Sequence, residues 1–360
     1  MATKLIDVAE KAGVSMTTVS RVINHDKTMN VSKETEEKIW QSVKELGYQI
    51  KKKNTKSAVN SKTKNIGYVL TKDEYSFEDS YFSDIIRGIE SELISHKCNL
   101  SFALSVNEID IDNLHEKLEP FICDGVILIG DIPFHINQYF AENKIPAVNI
   151  FKGFEQFKND RISINFEHSS YQLVNQLIGM GHKQILYLGD TSGFASGSFH
   201  LFDYEERLRG YVMAHLANHI DISPALIRNI NWDMETSYTE TKKILQGGHS
   251  ITAVFGANDR MAIGAMRAIQ ELGYSIPSDI SVVGCDNIEF SQYVTPPLTT
   301  ISYPRDELGK EAIRILLNRM KHPESIDAGF TKNIKFSTKI IERNSVGPAP
   351  ENMPLQSVHS

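Results

Sequence analysis

Apolar residues recur at three-and-four spacing along the first fifty residues, which predicts three amphipathic helices. Gly13 can end the first helix, and Ser15 and Ser32 can cap the second and the third. The predicted inward positions are Leu5, Val8, Ala9, Ala12, Val19, Val22, Ile23, Ile39, Trp40, Val43 and Leu46. Two helices joined by a short glycine turn and followed by a third form a helix-turn-helix pattern.

The outward face of the second predicted helix has chemistry suited to DNA. Its side chains are polar apart from one methionine: Met16, Thr17, Ser20, Arg21 and Asn24. Hydroxyls and a guanidinium pair with donors and acceptors in the major groove, and methyl groups contact thymine. The pattern predicts a recognition helix, although periodicity alone is also typical of small helical domains that bind no DNA.

From residue 65 the pattern changes to short apolar runs that alternate with amphipathic segments. The predicted strands are 66–70, 100–106, 125–129, 146–150, 163–165, 185–189, 253–255, 280–284 and 298–302. The predicted helices are 81–96, 133–142, a segment ending at 180, one around 211, 259–272 and 306–320. Continuously apolar strands between helices indicate parallel sheets covered on both faces, hence an α/β region of two doubly wound lobes. Such lobes bind ligands between them, beyond the carboxyl ends of their strands.

Charge separates the head of the chain from its body. Residues 1–64 contain 13 basic and 7 acidic side chains, whereas the other 296 residues contain 25 and 38. A basic head on an acidic body is typical of a nucleic-acid-binding module joined to a domain with another role. The lysine-rich stretch 51–64 has few apolar residues and is predicted to be a solvated linker whose lysines can also neutralise phosphates.

Other classes of protein find little support. No segment is long and apolar enough to span a bilayer and no export signal is evident, so we expect a cytoplasmic protein without a membrane partner. Cys98, Cys123 and Cys285 are expected to be structural thiols. His215 and His219 lack a third ligand in register, so we expect a surface pair, no metal and no cofactor. Nucleotide-binding, hydrolase and metalloprotease motifs are absent from the sequence. Carboxylates are so numerous that their count leaves open a pair of the kind that glycosidases use.

Short motifs follow one another in a fixed order along the chain. In the head they are Ile6-Asp7-Val8-Ala9, Ala12-Gly13-Val14-Ser15, Thr18-Val19-Ser20-Arg21-Val22-Ile23-Asn24 and Leu46-Gly47-Tyr48. In the body they include Arg207-Leu208-Arg209-Gly210-Tyr211, Ala257-Asn258-Asp259 and Pro296-Pro297-Leu298-Thr299-Thr300-Ile301. From residue 3 to about 343 the chain resembles the LacI/GalR family of bacterial repressors.

The resemblance implies a helix-turn-helix headpiece joined to a periplasmic-binding-protein-like effector domain. The expected divisions are a DNA-binding domain at 1–50, a linker or hinge at 51–64, a sugar-binding and dimerisation domain at 65–343 and a mobile tail at 344–360. A crossover of the chain, also implied by the resemblance, gives lobe 1 about 65–160 and 290–321, and lobe 2 about 161–289 and 322–343.

The resemblance also implies roles for individual residues. Met16, Thr17 and Arg21 would read bases, and Ser20 would lie with them on the face of the helix that meets DNA. Phosphates would be held by Thr3, Ser15, Asn24 and the linker lysines. A saccharide effector would contact Phe82, Asn165, Arg207, Trp232, Asn258 and Asp286. Core packing is the alternative for Phe82 and Trp232, and Asn165-Phe166 stands where many relatives have Asp-Asn.

The implied function is repression of carbohydrate-utilisation genes by a homodimer that binds near-palindromic operator DNA and is modulated by a saccharide. The segment from Ile86 to Leu93 is a candidate dimer surface, with core packing as the alternative. Around Ser57-Ala58-Val59 there is no leucine of the kind with which many relatives kink the minor groove. The alternatives are a global catabolite regulator controlled by a phosphoprotein, a transport binding protein and a sugar-processing enzyme.

Overall fold

A computed structural model describes residues 5–23, 32–46, 63–71, 80–109, 111–192, 194, 205–322 and 330–351. The chain divides into two compact units, residues 1–62 and residues 63–360. Among the described residues, no helix combines the length and apolar character that a bilayer span requires.

The N-terminal unit contains the three predicted helices, α1 (Leu5–Ala12), α2 (Met16–Ile23) and α3 (Lys33–Glu45). Their small core consists of Val8, Ala9, Val19, Val22, Ile39 and Val43. Gly13 adopts a left-handed conformation with φ 67°, which lets the chain turn sharply between α1 and α2. Ser15 accepts a hydrogen bond from the Thr18 amide at 3.1 Å, so it caps α2 as predicted.

The second unit contains two six-stranded sheets with helices on their faces. The strands are β1 (Asn65–Leu70), β2 (Asn99–Ser105), β3 (Gly125–Gly130), β4 (Ala147–Phe151), β5 (Asp160–Ile164), β6 (Ile185–Gly189), β7 (Ile227–Asn229), β8 (Ala253–Gly256), β9 (Ser281–Cys285), β10 (Thr299–Ser302), β11 (Asn333–Phe336) and β12 (Lys339–Ile341). The helices are α4 (Ser80–Ser95), α5 (Leu114–Leu118), α6 (Phe134–Glu142), α7 (Phe166–Gly179), α8 (Glu206–Ala217), α9 (Met234–Gln246), α10 (Asp259–Glu271) and α11 (Arg305–Lys321).

The two sheets repeat one topology. Sheet 1 has the order β2-β1-β3-β4-β5-β11, and sheet 2 has the order β7-β6-β8-β9-β10-β12. Every described strand pair is parallel except β10 with β12. Central strands such as β3 and β8 are buried along almost their whole length, as expected of parallel strands covered on both faces. The predicted fold class is therefore confirmed.

The sheets correct the expected lobe boundaries. Strand β5 pairs with β4 and β11, so lobe 1 extends to about residue 164 rather than 160. Strand β10 pairs with β9 and therefore belongs to lobe 2, whereas the expected division assigned residues 290–302 to lobe 1. The chain returns to lobe 1 only after β10, where α11 packs on α4. Strand β11 then pairs with β5 in sheet 1, so residues 333–336 belong to lobe 1, whereas the expected division assigned 322–343 to lobe 2. Apolar runs in the sequence identify strands, but they do not show which sheet each strand belongs to.

Two segments expected at the surface are packed. Core packing is the alternative that describes Ile89 and Leu93 of α4, which are buried, and the predicted surface pair of His215 and His219 is wrong for His215. His215 is also buried, with its Nδ1 2.9 Å from the Tyr211 carbonyl oxygen, and burial lowers the pKa of its ring.

The predicted mobile tail is likewise wrong for its described first part. Ser345 is fully buried, and its hydroxyl donates to the Val282 carbonyl at 2.6 Å. Gly347 donates its amide to the Ser281 hydroxyl at 3.0 Å, and the Ala349 amide donates to the Met180 carbonyl at 2.9 Å. These bonds attach residues 345–349 to sheet 2 and α7, whereas residues 352–360 lie outside the described residues.

Candidate effector cleft and DNA-binding face

A cavity of about 900 Å³ lies between the two lobes of the second unit. Residues at or just after the carboxyl ends of eight strands line it: Thr71, Asp131, Phe151, Ile164, Asp190, Asn231, Asn258 and Asp286. This is the position at which doubly wound sheets bind ligands. Its volume lies within the range of small-molecule sites in proteins.

Several cleft residues adopt backbone conformations that side chains rarely tolerate. Phe151, Asn231, Trp232 and Asp286 have φ values of 78°, 47°, 61° and 104°. Each follows or ends a strand at the cleft edge, where the chain turns sharply into a loop. Such strain persists only where surrounding contacts enforce it, and it is concentrated at functional sites.

Arg207, at the start of α8, is the central cation of the cleft. Its side chain is only 8% exposed, and its guanidinium carbon lies 3.7 Å from the centre of the Phe166 ring and 5.2 Å from that of Trp232. Its Nη1 atom donates to Glu205 at 2.7 Å, and Nη2 lies 3.9 Å from Asp286. A buried cation is tolerated here because aromatic faces and carboxylates surround it.

Glu205 holds Arg207 in two ways. One carboxylate oxygen accepts the backbone amides of Arg207 and Leu208 at 2.8 and 3.3 Å, which caps α8, and the other accepts the Arg207 guanidinium. The Tyr187 hydroxyl also approaches this carboxylate at 3.4 Å. One side chain therefore fixes both the start of the helix and the cation that the helix presents.

Asp286 presents a second fixed carboxylate after β9. The Tyr303 hydroxyl donates to it at 2.8 Å. Burial raises the pKa of Asp286, and the neighbouring Arg207 opposes that shift. Burial and the charge of Asp286 also raise the pKa of Asp259.

Of the six residues implied by resemblance, Phe82, Arg207, Trp232, Asn258 and Asp286 line the cleft. Phe82 is buried and also belongs to the core, whereas Trp232 is 37% exposed. Asn258 accepts the Met261 amide at 2.8 Å, so its carbonyl caps α10 and its amide NH2 group is the part that can meet a ligand. Asn165 is not among the lining residues; its backbone amide donates to Phe336 where β5 passes into α7.

Sequence reasoning missed several lining residues. Phe166 follows Asn165 directly, and Glu205 stands two positions before Arg207, so proximity to named candidates was the only available signal. Lys152 and Phe154 lie on the loop after β4, for which no pattern indicated a role. Among the described residues, six carboxylates and five cationic side chains line the cleft: Asp131, Asp190, Glu205, Glu206, Asp233, Asp286, Lys152, Arg161, Arg207, Arg209 and Arg260.

The predicted recognition helix is α2. Ser15 precedes it, and Met16, at its first position, is 49% exposed. Thr17, Ser20 and Arg21 occupy α2, but their side chains lie outside the described part of the structure, as do Thr3 and Asn24 entirely.

A three-helix head with a glycine turn, on a chain whose body has a polar cleft between two α/β lobes, defines a helix-turn-helix regulator with a ligand-binding domain. Comparisons with known proteins agree with this class. Residues 4–50 match the family described as bacterial regulatory proteins, lacI family, and residues 174–346 match a periplasmic binding protein-like domain. The chain is 32% identical over 335 residues to the probable HTH-type transcriptional repressor ExuR of Bacillus subtilis (strain 168), covering 92% of this chain and 96% of that one.

The chain therefore belongs to the lacI family, and it is a DNA-binding transcriptional repressor. Two solved structures resemble it along nearly the whole chain. A transcriptional regulator CelR–cellobiose complex has a TM-score of 0.69 at 25% identity, covering 95% of this chain and 99% of that one. A lac repressor dimer bound to operator and the anti-inducer ONPF has a TM-score of 0.67 at 27% identity, covering 96% and 100%.

Replacing Glu205 by glutamine tests the role of its charge. The variant Glu205→Gln keeps a hydrogen-bond acceptor but leaves buried Arg207 without its nearest anion, so we expect a loss of about 1–3 kcal/mol in the free energy of unfolding. Urea denaturation followed by circular dichroism measures it. Glu206→Gln is the matched control, because Glu206 is 34% exposed and its ion pairs are long, at 3.5 and 3.8 Å. Equal stability of the two variants would contradict the role assigned to Glu205.

Proposed function

We propose that a neutral saccharide bound in the cleft controls the affinity of this repressor for its operator. The observation that carries the proposal is the environment of Arg207, which combines a buried guanidinium, two buried carboxylates and two aromatic rings in one cluster. Carboxylates accept hydrogen bonds from sugar hydroxyls and a guanidinium donates to them, while aromatic faces pack on the apolar faces of a sugar ring.

Charge balance supports a neutral ligand over an acidic one. The most buried cation of the cleft already faces Glu205 and Asp286, and Lys152 is paired with Asp131 at 2.9 Å. A carboxylate or phosphate placed beside Arg207 would therefore meet two like charges at low dielectric. Hydroxyl groups carry no such penalty, because they can donate to the carboxylates and accept from the guanidinium.

Recognition of an operator by a head of about fifty residues favours a two-fold dimer, which presents two recognition helices one helical turn of DNA apart. Binding of the saccharide would change how the two heads are held. Coupling energies of about 1–3 kcal/mol, a 5- to 150-fold change in affinity, are typical of such linkage. Since the operator is the chromosomal target, we place the protein in the cytoplasm.

The edge of sheet 1 offers a surface for that dimer. Strand β2 is the terminal strand, and Leu100, Phe121 and Ile122 are exposed on or beside it. The same edge receives the chain from the linker, because the Asn99 amide donates to the Lys64 carbonyl at 2.8 Å. Two copies pairing there would bring together the first residues of their second units, where the linkers join.

A thermal-shift screen of mono- and disaccharides, including cellobiose, tests the proposed ligand class. A sugar bound only by the native state raises the melting temperature. At a sugar concentration of one hundred times its Kd, the free energy of unfolding rises by about 2.7 kcal/mol. Asp286→Ala should abolish the shift, because it removes a carboxylate that faces the cleft. Glu289→Ala is the control, since that exposed residue lies three positions away and does not line the cleft. A shift obtained only with acidic ligands would contradict the proposal of a neutral saccharide.

Arg21→Ala tests the recognition helix. We expect the variant to lose discrimination between an operator selected from random DNA and unrelated DNA, by about 1–3 kcal/mol for one guanidinium contact to a base. Fluorescence anisotropy measures both affinities. Lys38→Ala removes an exposed cation from α3 and is the control for loss of charge alone. If the two variants distinguish operator from unrelated DNA equally well, α2 is not the recognition helix. The same follows if Arg21→Ala also loses its thermal shift with sugar.

Leu100→Glu tests the dimer surface. A charge on the exposed start of β2 should disfavour pairing of two copies, so sedimentation velocity should detect a monomer where the unaltered chain is a dimer. Leu216→Glu, an exposed leucine on α8 of the other lobe, provides the matched control and should leave the dimer intact. A dimeric Leu100→Glu chain would exclude this edge as the interface.

A further inference from the structure

Arg305 connects the two lobes beside the cleft. It is the first residue of α11 and follows Tyr303 and Pro304, through which the chain passes from sheet 2 into lobe 1. Its Nε and Nη2 atoms donate to one carboxylate oxygen of Asp84 at 2.9 and 2.7 Å. Its Nη1 atom donates to the backbone carbonyl of Asp286. One side chain thus bonds to α4 in lobe 1 and to the end of β9 in lobe 2.

The lobe 1 end of this connection is firmly held. Helices α4 and α11 cross closely, because a Cβ atom at Gly309 would meet the backbone oxygen of Ile85 and one at Gly88 would meet that of Asp306. The second carboxylate oxygen of Asp84 accepts Arg87 at 2.6 Å. Arg305 therefore extends from a rigid pair of helices.

In lobe 2, Arg305 binds Asp286, a cleft residue with a strained backbone. Asp286 has φ 104°, and Asn287 after it has φ 48°, so the peptide between them needs external support. The Asp286 amide donates to the Ile301 carbonyl at 2.8 Å, and the Tyr303 hydroxyl holds its carboxylate. The carbonyl is the remaining backbone group, and Arg305 binds it. The direction in which the carboxylate points depends on these three bonds together.

We propose that Arg305 is a positioning residue that holds Asp286 in its ligand-ready conformation and transmits the occupancy of the cleft to helix α4 through Asp84. The part that concerns ligand rests on the proposed function, in which Asp286 binds a saccharide. A ligand that moves Asp286 moves the guanidinium bonded to its carbonyl, and hence the carboxylate on α4. By reciprocity, a change at Asp84 alters the affinity of the cleft.

An arginine is needed for this connection. Its planar guanidinium presents several N–H groups in fixed directions, so it can donate twice to Asp84 and once to Asp286 at the same time. A lysine ammonium is a single compact donor on a flexible stem and cannot keep both acceptors in place. Arg305→Lys is therefore expected to behave like Arg305→Met, although it retains the charge.

The same two helices supply a matched control. Arg314 of α11 donates to Glu92 of α4 at 2.9 and 3.2 Å, much as Arg305 does to Asp84. Arg314 has no bond to a cleft residue among those described. Arg314→Met therefore removes a comparable bridge between α4 and α11 without touching Asp286.

Hydrogen–deuterium exchange of the full chain without ligand tests the connection. The reporters are the amides of Asp286, Asn287 and Ile288, which donate to Ile301, Thr300 and Asp259 respectively. We expect Arg305→Met and Arg305→Lys to speed their exchange by about tenfold, the effect of one hydrogen bond to a charged group. Asp84→Ala, a change in the other lobe, should speed the same amides, whereas Arg314→Met should not. Unchanged exchange in Arg305→Met or Asp84→Ala, or an equal effect of Arg314→Met, would overturn the proposal.

Cellobiose and the other sugars of the thermal-shift panel then separate this inference from the proposed function. If a sugar binds, Arg305→Met and Asp84→Ala should weaken it by about tenfold relative to Arg314→Met, and unaltered affinity in both variants would refute the positioning role. If exchange responds as expected but no sugar stabilises the protein, Arg305 still positions Asp286 and the proposed ligand is wrong. If the variants leave amide exchange unchanged but a sugar still binds, the positioning role of Arg305 is wrong and the proposed ligand class stands.

Discussion

A buried positive charge determines how the cleft of this protein is built. Arg207 is withdrawn from water, and such a cation is stable only with carboxylates and polarisable surfaces around it. Glu205 supplies the nearest charge and also caps the helix that carries Arg207. Phe166 covers the guanidinium from the junction of the two lobes, since it begins α7 directly after β5 of sheet 1. The lining of the cleft is thus assembled from both lobes around one cation.

Fold topology places these groups within reach of each other. Parallel strands end at one edge of each sheet, so loops distant in sequence converge on the cleft. Sharp turns at these ends leave Phe151, Trp232 and Asp286 in left-handed conformations. The strained backbone of Asp286 is supported by Ile301 in β10 and by Tyr303 and Arg305 on the segment that follows it. The passage between the lobes therefore supports a residue of the cleft as well as connecting the two sheets.

Local patterns predicted most helices and strands because periodicity and capping act over a few residues. The core positions Val8, Val19 and Ile39 and the cap at Ser15 were evident from spacing and residue type alone. Five of the six effector residues implied by the resemblance also line the cleft. Short strands such as β7 and β12, each of three residues, gave too little apolar signal to be recognised.

The sequence by itself determined the three-helix head, the alternation of strands and helices, and the residue types available for binding. Only the tertiary structure decided which sheet received β5 and β10, because strand pairing between distant segments leaves no local periodicity. It also decided that Asn165 stands away from the lining and that Glu205 holds Arg207. Burial, charge pairing and left-handed backbone at a site arise from contacts between distant segments. Those contacts exist only once both sheets have formed.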